Sequence, residues 1–164
     1  MKIGIISDTH DHVARVEAAV ALFNARRVEA VLHCGDFVAP FSLAPFRSLS
    51  CGRLYAVFGN NGGEKAGLRV LAQKHGWQLE TGPMAVELGG RTVAMMHEPH
   101  ALDALAQKER FDLLAFGHLH TANVERRNGT LIVNPGEACG WTTGTATLAI
   151  VDLDALSAEI VPIG

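Results

Sequence analysis

The sequence is poor in aromatic residues, with one Tyr, two Trp and seven Phe in 164 positions. Charged residues make up 19%, below the roughly 25% of an average globular protein. Basic residues are not in excess, since 14 Lys and Arg face 17 Asp and Glu. That balance disfavours nucleic acid as a partner, because phosphate contacts demand basic patches. Cysteine is scarce too: Cys34, Cys51 and Cys139 are an odd set with no CxxC spacing, which argues against a disulfide framework and a zinc–thiolate site. No run approaches the ~18 apolar residues of a membrane span. The apolar stretch after Met1-Lys2 is broken by Ser7 and Asp8, too early for a signal peptide. The expectation is a soluble, cytoplasmic protein with no membrane partner.

What is present is a hydrophobic content of 48%, enough to bury a core and rule out disorder. The length suits one domain spanning residues 1–164, with no linker or repeat. Histidine is the unusual entry, eight of them in a chain of net charge −3.

Apolar runs at Ile3–Ile6, Ala30–Leu32 and Leu54–Phe58 read as buried strands. Between them, Val13, Val16, Val20 and Phe23 recur at helical spacing, with Asp11 placed to cap the helix. Pro40–Leu49 contains a short helix, and Leu68, Leu71 and His75 lie along another. This alternation predicts a parallel α/β sheet. The second half is richer in strands. Met84–Leu88 and Thr92–Met96 flank Gly89-Gly90, while Asn128-Gly129 separates Asn123–Arg127 from Thr130–Val133 as a hairpin signal. Leu113–Phe116, Thr145–Leu153 and Ala158–Val161 complete the strands, and Leu102 and Leu105 mark a helix.

The strand candidates end in similar punctuation: Ser7-Asp8-Thr9-His10, Gly35-Asp36, Gly59-Asn60-Asn61, His97, and Gly117-His118-Leu119-His120. Ligands of open α/β sheets bind at the carboxyl ends of strands. If these strands are neighbours in one sheet, Asp8, His10, Asp36, Asn60, His97, His118 and His120 converge on one cleft. Carboxylate, amide and imidazole donors suit Mn, Fe, Ni or Zn better than Mg or Ca. Seven donors are too many for one ion with an open position, and suit two divalent ions sharing a carboxylate.

The same ordered set resembles the calcineurin-like metallophosphoesterases, and more narrowly their small single-domain bacterial and archaeal phosphodiesterase branch. Ile5-Ile6-Ser7-Asp8-Thr9-His10-Asp11-His12, His33-Cys34-Gly35-Asp36-Phe37 and Asn134-Pro135-Gly136-Glu137 are similar to that branch in wording and spacing. The resemblance implies an α/β fold, an αββα sandwich of two mixed sheets flanked by helices. It implies that Asp8, His10 and His120 hold one metal and Asn60, His97 and His118 the other, with Asp36 between them. It also implies a small-molecule phosphate diester as substrate, with Asp36, Asn60 and His97 acting in catalysis through the metals and water between the ions attacking phosphorus in line. Phosphomonoesterase or nuclease activity is the alternative among enzymes. A non-catalytic scaffold with vestigial metal sites is the alternative outside them. Homo-oligomerisation is left open.

Other residues carry blander expectations. His33 reads as a strand-end core residue, His12 as a helix start, His75 as a surface residue and Cys34 as a small core hydrophobe. Trp141 and Phe37 belong to a cleft rim or to core or interface packing. Glu137 matches the branch with no chemistry attached.

Many family members place a His after the ligand Asn to protonate the leaving oxygen, and the branch usually has an Asp where Gly62 stands. Here Asn61 follows Asn60, and an amide is no acid near neutral pH. His100 is the nearest substitute acid in sequence. The chain should therefore hydrolyse aryl diesters, which leave well unaided, faster than alkyl diesters at matched metal and pH. Equal turnover would show that a leaving-group acid is present.

Overall fold

The computed structural model describes residues 1–107 and 111–164. In chain order the elements are β1 (Lys2–Ile6), α1 (Val13–Ala25), β2 (Ala30–His33), α2 (Pro40–Leu43), β3 (Leu54–Val57), α3 (Lys65–His75) and β4 (Gln78–Glu80). They continue as β5 (Met84–Leu88), β6 (Arg91–Met95), α4 (Leu102–Ala106), β7 (Leu113–Ala115), β8 (Asn123–Arg127), β9 (Thr130–Asn134), β10 (Thr147–Asp152) and β11 (Ser157–Pro162). The short helix expected within Pro40–Leu49 is α2, and a 3₁₀ turn at Ala44–Ser48 extends it.

Among the described residues the strands build two sheets, ordered β11-β10-β1-β2-β3-β4 and β5-β6-β7-β9-β8. Strands β1 to β3 run parallel, as the strand–helix alternation predicts, and β4 adds a fourth strand in the same direction. Strand β10 returns from the far end of the chain to pair antiparallel with β1, and β11 follows it. In the second sheet β6, β7 and β9 are parallel. The two hairpins place β5 and β8 antiparallel at its edges.

Period-two alternation divides each central strand between two cores. Ile3, Ile5, Ala30, Leu32 and Val57 point inward from the first sheet, meeting Val93, Met95, Leu113, Ala115, Leu131 and Val133 from the second. The intervening residues point outward. Ile6, Val31 and Ala56 pack under α1, α2 and α3 with Val16, Phe23, Leu43 and Leu68. Ala94, Leu114, Phe116 and Ile132 pack under α4 with Leu102 and Ala106. The result is the αββα sandwich. Gly4 fits this plan by close approach, because a Cβ there would run into the Phe23 ring.

Two local expectations change. Asp11 does not cap α1; His12 occupies the N-cap position without a side-chain cap bond. The Asp11 Oδ1 atom instead accepts the backbone N–H groups of Val38 and Ala39 at 2.9 and 3.1 Å, clamping the loop after β2. Strand β4 has no sequence signature, being three residues at a sheet edge held by pairing with β3.

The strands bearing the polar punctuation are also not neighbours in one sheet. β1, β2 and β3 belong to the first sheet, β6 and β7 to the second. Their carboxyl ends meet because the sheets share one inner core, and loop bonds join them. The N–H of Asp8 donates to the Gly35 carbonyl at 3.0 Å, and that of Gly117 to the His97 carbonyl at 3.0 Å. The N–H of His118 crosses from the second sheet to the first, reaching Asp8 Oδ2 at 3.0 Å.

Candidate metal centre

Five of the seven residues singled out by spacing stand on left-handed backbone. Asp8, His10, Asp36, His118 and His120 have φ between 40° and 68°, a conformation costing a non-glycine residue on the order of 1–3 kcal/mol. Such strain survives only where the surroundings hold it. Gly59 allows close approach by being small, since a Cβ there would collide with Asp36 Oδ1.

The donor atoms form two linked groups. Asp8, His10 and His120 each offer an atom within 4.8 Å of the others, as do Asp8, Asp36 and His97. His120 Nε2 lies 3.2 Å from Asp8 Oδ1, and His10 Nε2 lies 3.6 Å from Asp36 Oδ2. The other oxygen of Asp36 faces His97 Nε2 at 3.4 Å. Asn60 Oδ1 sits between two imidazoles, 2.7 Å from His97 Nε2 and 3.0 Å from His118 Nδ1. All seven predicted residues therefore meet at one centre.

Hydrogen bonds around the centre aim these atoms. His97 Nδ1–H donates to the Cys34 carbonyl at 2.8 Å, which directs Nε2 inward. His120 Nδ1–H donates to Glu137 Oε2 at 2.9 Å with the same effect. Asn61 donates its N–H to Asp36 Oδ1 at 2.9 Å and its side-chain amide to Oδ2 at 2.8 Å. Burial opposes ionisation of Asp36, but the bonds from His97 and Asn61 prevail and hold its carboxyl well below the usual range. Burial likewise opposes a charge on His97, yet Asp36 outweighs it and raises the pKa.

The donor set fits a divalent cation. Asp8 Oδ1 and His10 Nε2 are buried with no hydrogen-bond partner. Asp8 and Asp36 are both buried, and among the described residues neither has a Lys or Arg partner. Buried carboxylates without a cation are costly. Lone pairs that converge with few donors among them are what a transition-metal ion satisfies.

A model of the calcineurin-like phosphoesterase superfamily domain matches residues 1–156. The chain belongs to that family. Calcineurin-like phosphoesterases are metal-dependent hydrolases, and the donor cluster above is the part of this one that can hold metal. A phosphodiesterase of Methanocaldococcus jannaschii is 36% identical over 157 residues, covering 94% of each chain. The solved structure of an archaeal phosphodiesterase superposes with a TM-score of 0.92 at 32% identity over 99% of each chain. Vps29 of Entamoeba histolytica in complex with zinc matches at 0.71 with 18% identity over the full length of both chains, a likeness of fold alone.

Glu137, to which sequence reasoning attached no chemistry, lies against the centre. Its buried carboxylate accepts from His120, from the N–H groups of Thr142 and Thr143, from the Thr143 hydroxyl and from the Cys139 thiol. Burial resists its ionisation, but those donors win and hold its pKa at about 2. No local signal could reveal it, because His120 lies 17 positions away. His100 sits in a cleft of about 280 Å³ lined also by Phe58, Asn60, Pro83, Met96 and His97. Its side chain is 81% exposed and pairs with Glu98 at 2.6 Å, not with the centre. The buried thiols are suppressed as nucleophiles: burial raises Cys34, and pushes Cys139 up to about 12.

His33 is wholly buried beneath the centre. The Gly35 N–H donates to its Nδ1 at 3.2 Å, so the proton of the neutral ring is on Nε2, facing Thr9 Oγ1 at 3.2 Å. The Thr9 hydroxyl is then free to donate to the Asp36 carbonyl. Burial, aided by the charge of His97, lowers the His33 pKa to about 3. The unfolded chain takes up this proton below about 6.5, so stability falls as the pH drops below that value. Urea unfolding of metal-free protein at pH 7.5 and 5.0 should show wild type losing about 2 kcal/mol more than His33→Asn. Equal losses would contradict a buried neutral ring.

Proposed function

We propose that the chain, with residues 1–164 working as one domain, is a dinuclear metal-dependent phosphodiesterase. The observation that carries this reading is the convergence of seven side chains whose inward atoms are almost all lone-pair donors. In this reading Asp8, His10 and His120 hold one divalent ion and Asn60, His97 and His118 the other, with Asp36 reaching both. Nitrogen and oxygen donors without thiolate suit manganese, nickel, iron or zinc. Bound there, the ions supply Lewis-acid polarisation of phosphoryl oxygens and lower the pKa of water.

The protein's own residues supply orientation. The Cys34 carbonyl and Glu137 set the ring orientation of His97 and His120, and Asn61 keeps Asp36 ionised and aimed. Asn61 donates to Asp36 and has no proton to give a leaving oxygen, while His100 is engaged with Glu98. That pairing supports a substrate whose leaving group departs without an acid.

Two features favour a diester over a monoester. The centre is flanked by the cleft beside Asn60 and His97 and by Trp141 beside His10, room for two ester arms. The residues lining the cleft include no Lys or Arg, which suits the single charge of a diester better than a monoester dianion. The phosphodiesterase from Methanocaldococcus jannaschii points the same way.

Purified protein should hydrolyse bis-p-nitrophenyl phosphate with Mn²⁺ or Ni²⁺ and lose that activity on chelation. Asp36→Asn and His97→Ala should each lower kcat/KM by a factor on the order of 10² or more, in line with removal of a preorganised catalytic group. Turnover that survives chelation, or no turnover with any metal, overturns the reading. Glu137→Gln tests the support beneath His120. Its metal affinity, read by competition with a chromophoric chelator, should fall by about 10–100-fold, the usual effect of losing a partner behind a ligand. An unchanged affinity would remove Glu137 from that role.

A further inference from the structure

Trp141 is the one tryptophan of the two that the core does not claim. Trp77 is buried at 7% exposure against the His75 ring, whereas Trp141 is 64% exposed. Its indole lies 6.4 Å from the His10 ring at an interplanar angle of 28° and 5.6 Å from the His12 ring. A large flat apolar surface thus stands at the mouth of the centre, one ring away from a candidate metal ligand. Leu119, exposed between His118 and His120, adds apolar surface to the loops at that mouth. An exposed indole at the rim of a candidate site offers a flat apolar face with a polar edge to a ligand.

The loop that carries Trp141 is held in place. Glu137 accepts the N–H groups of Thr142 and Thr143 at 2.9 and 2.5 Å, and the Thr143 hydroxyl at 2.7 Å. The N–H of Cys139 donates to the Asp8 carbonyl at 3.1 Å. The same carboxylate that orients His120 therefore fixes the segment next to the indole. A preorganised ring loses little entropy when a second ring stacks on it.

Resting on the phosphodiesterase reading, we infer that Trp141 is a specificity-determining residue, a stacking platform for a planar aromatic group on one ester arm of the substrate. Stacking on an aromatic side chain tolerates many rings because each presents a π face. The platform selects for a flat arm and not for one base or aryl group in particular. It leaves the phosphoryl group to the metal centre.

Two dead-end ligands that differ only in the arm, phenylphosphonate and methylphosphonate, test this on metal-loaded protein. Wild type should bind phenylphosphonate about tenfold more tightly, judged by inhibition of bis-p-nitrophenyl phosphate hydrolysis. Phenylphosphonate should quench tryptophan emission and methylphosphonate should not. In Trp141→Ala the inhibition constant for phenylphosphonate should rise to that of methylphosphonate, with the methylphosphonate constant and metal content unchanged. Trp141→Phe should keep the preference, and its emission, from Trp77 alone, should no longer respond. Equal weakening of both ligands in Trp141→Ala, or a preference that survives the substitution, overturns the platform. The quenching titration reads the platform without turnover, so an inactive wild type would defeat the phosphodiesterase reading separately.

Discussion

Asp8 and Asp36 are buried side by side at the meeting point of two sheets, with no Lys or Arg against them among the described residues. Two desolvated carboxylates at this range repel and resist burial, so the fold must hold them there against their own electrostatics. Backbone donors do much of this. Asp8 Oδ2 receives the His118 N–H and Asp36 receives the Asn61 N–H. The left-handed φ values at Asp8 and Asp36 add local strain to the electrostatic penalty. Rigid strands on both sides, with Ile3, Ile5, Leu32, Met95 and Leu113 locked in the shared core, supply the counterweight. The inner core is thus what makes an unfavourable charge arrangement persist.

Much of this was legible in the sequence, for a definite reason. Buried strands read as short apolar runs, and the polar residues that interrupt them stand at their carboxyl ends, so Asp8, His10, Asp36, Asn60, His97, His118 and His120 announced themselves by position. What spacing could not show was that the strands divide between two sheets, since the ends of β1 to β3 and of β6 and β7 carry the same punctuation. The expected grouping of these residues around two metals rests on family resemblance, not on spacing. Glu137 was out of reach because its role depends on a loop that returns to His120 over 17 residues. Asp11 looked like a helix cap because it precedes α1, and its carboxylate found the Val38 and Ala39 amides across the loop instead. Trp141 could be core or rim by composition, and only its exposure decides; Phe37, named with it, is core.

Histidine, the excess that marked the composition, is used in several electronic forms. His33 takes the tautomer with Nδ1 accepting, fixed by the Gly35 amide, and serves as buried framework. At His97 and His120 it is Nδ1–H that is spent, on a carbonyl and a carboxylate. His118 presents Nδ1 itself to Asn60. One residue type can do all of this because its two nitrogens are distinct and each neighbour chooses between them.

That choice makes the two halves of the centre unequal. Behind His120 stands an ionised carboxylate held at a pKa of about 2, and beside it stands Asp8. Behind His97 stands the neutral Cys34 carbonyl, and its Nε2 faces the Asn60 amide oxygen and the Asp36 carboxylate. A carboxylate behind an imidazole raises its basicity more than a carbonyl does. Of these two imidazoles, His120 is therefore the one whose inward nitrogen is made more basic from behind. The open cleft abuts the His97 side, through Asn60 and His97. A ligand arriving through that cleft therefore meets the imidazole backed by a neutral carbonyl before it meets the one backed by a carboxylate.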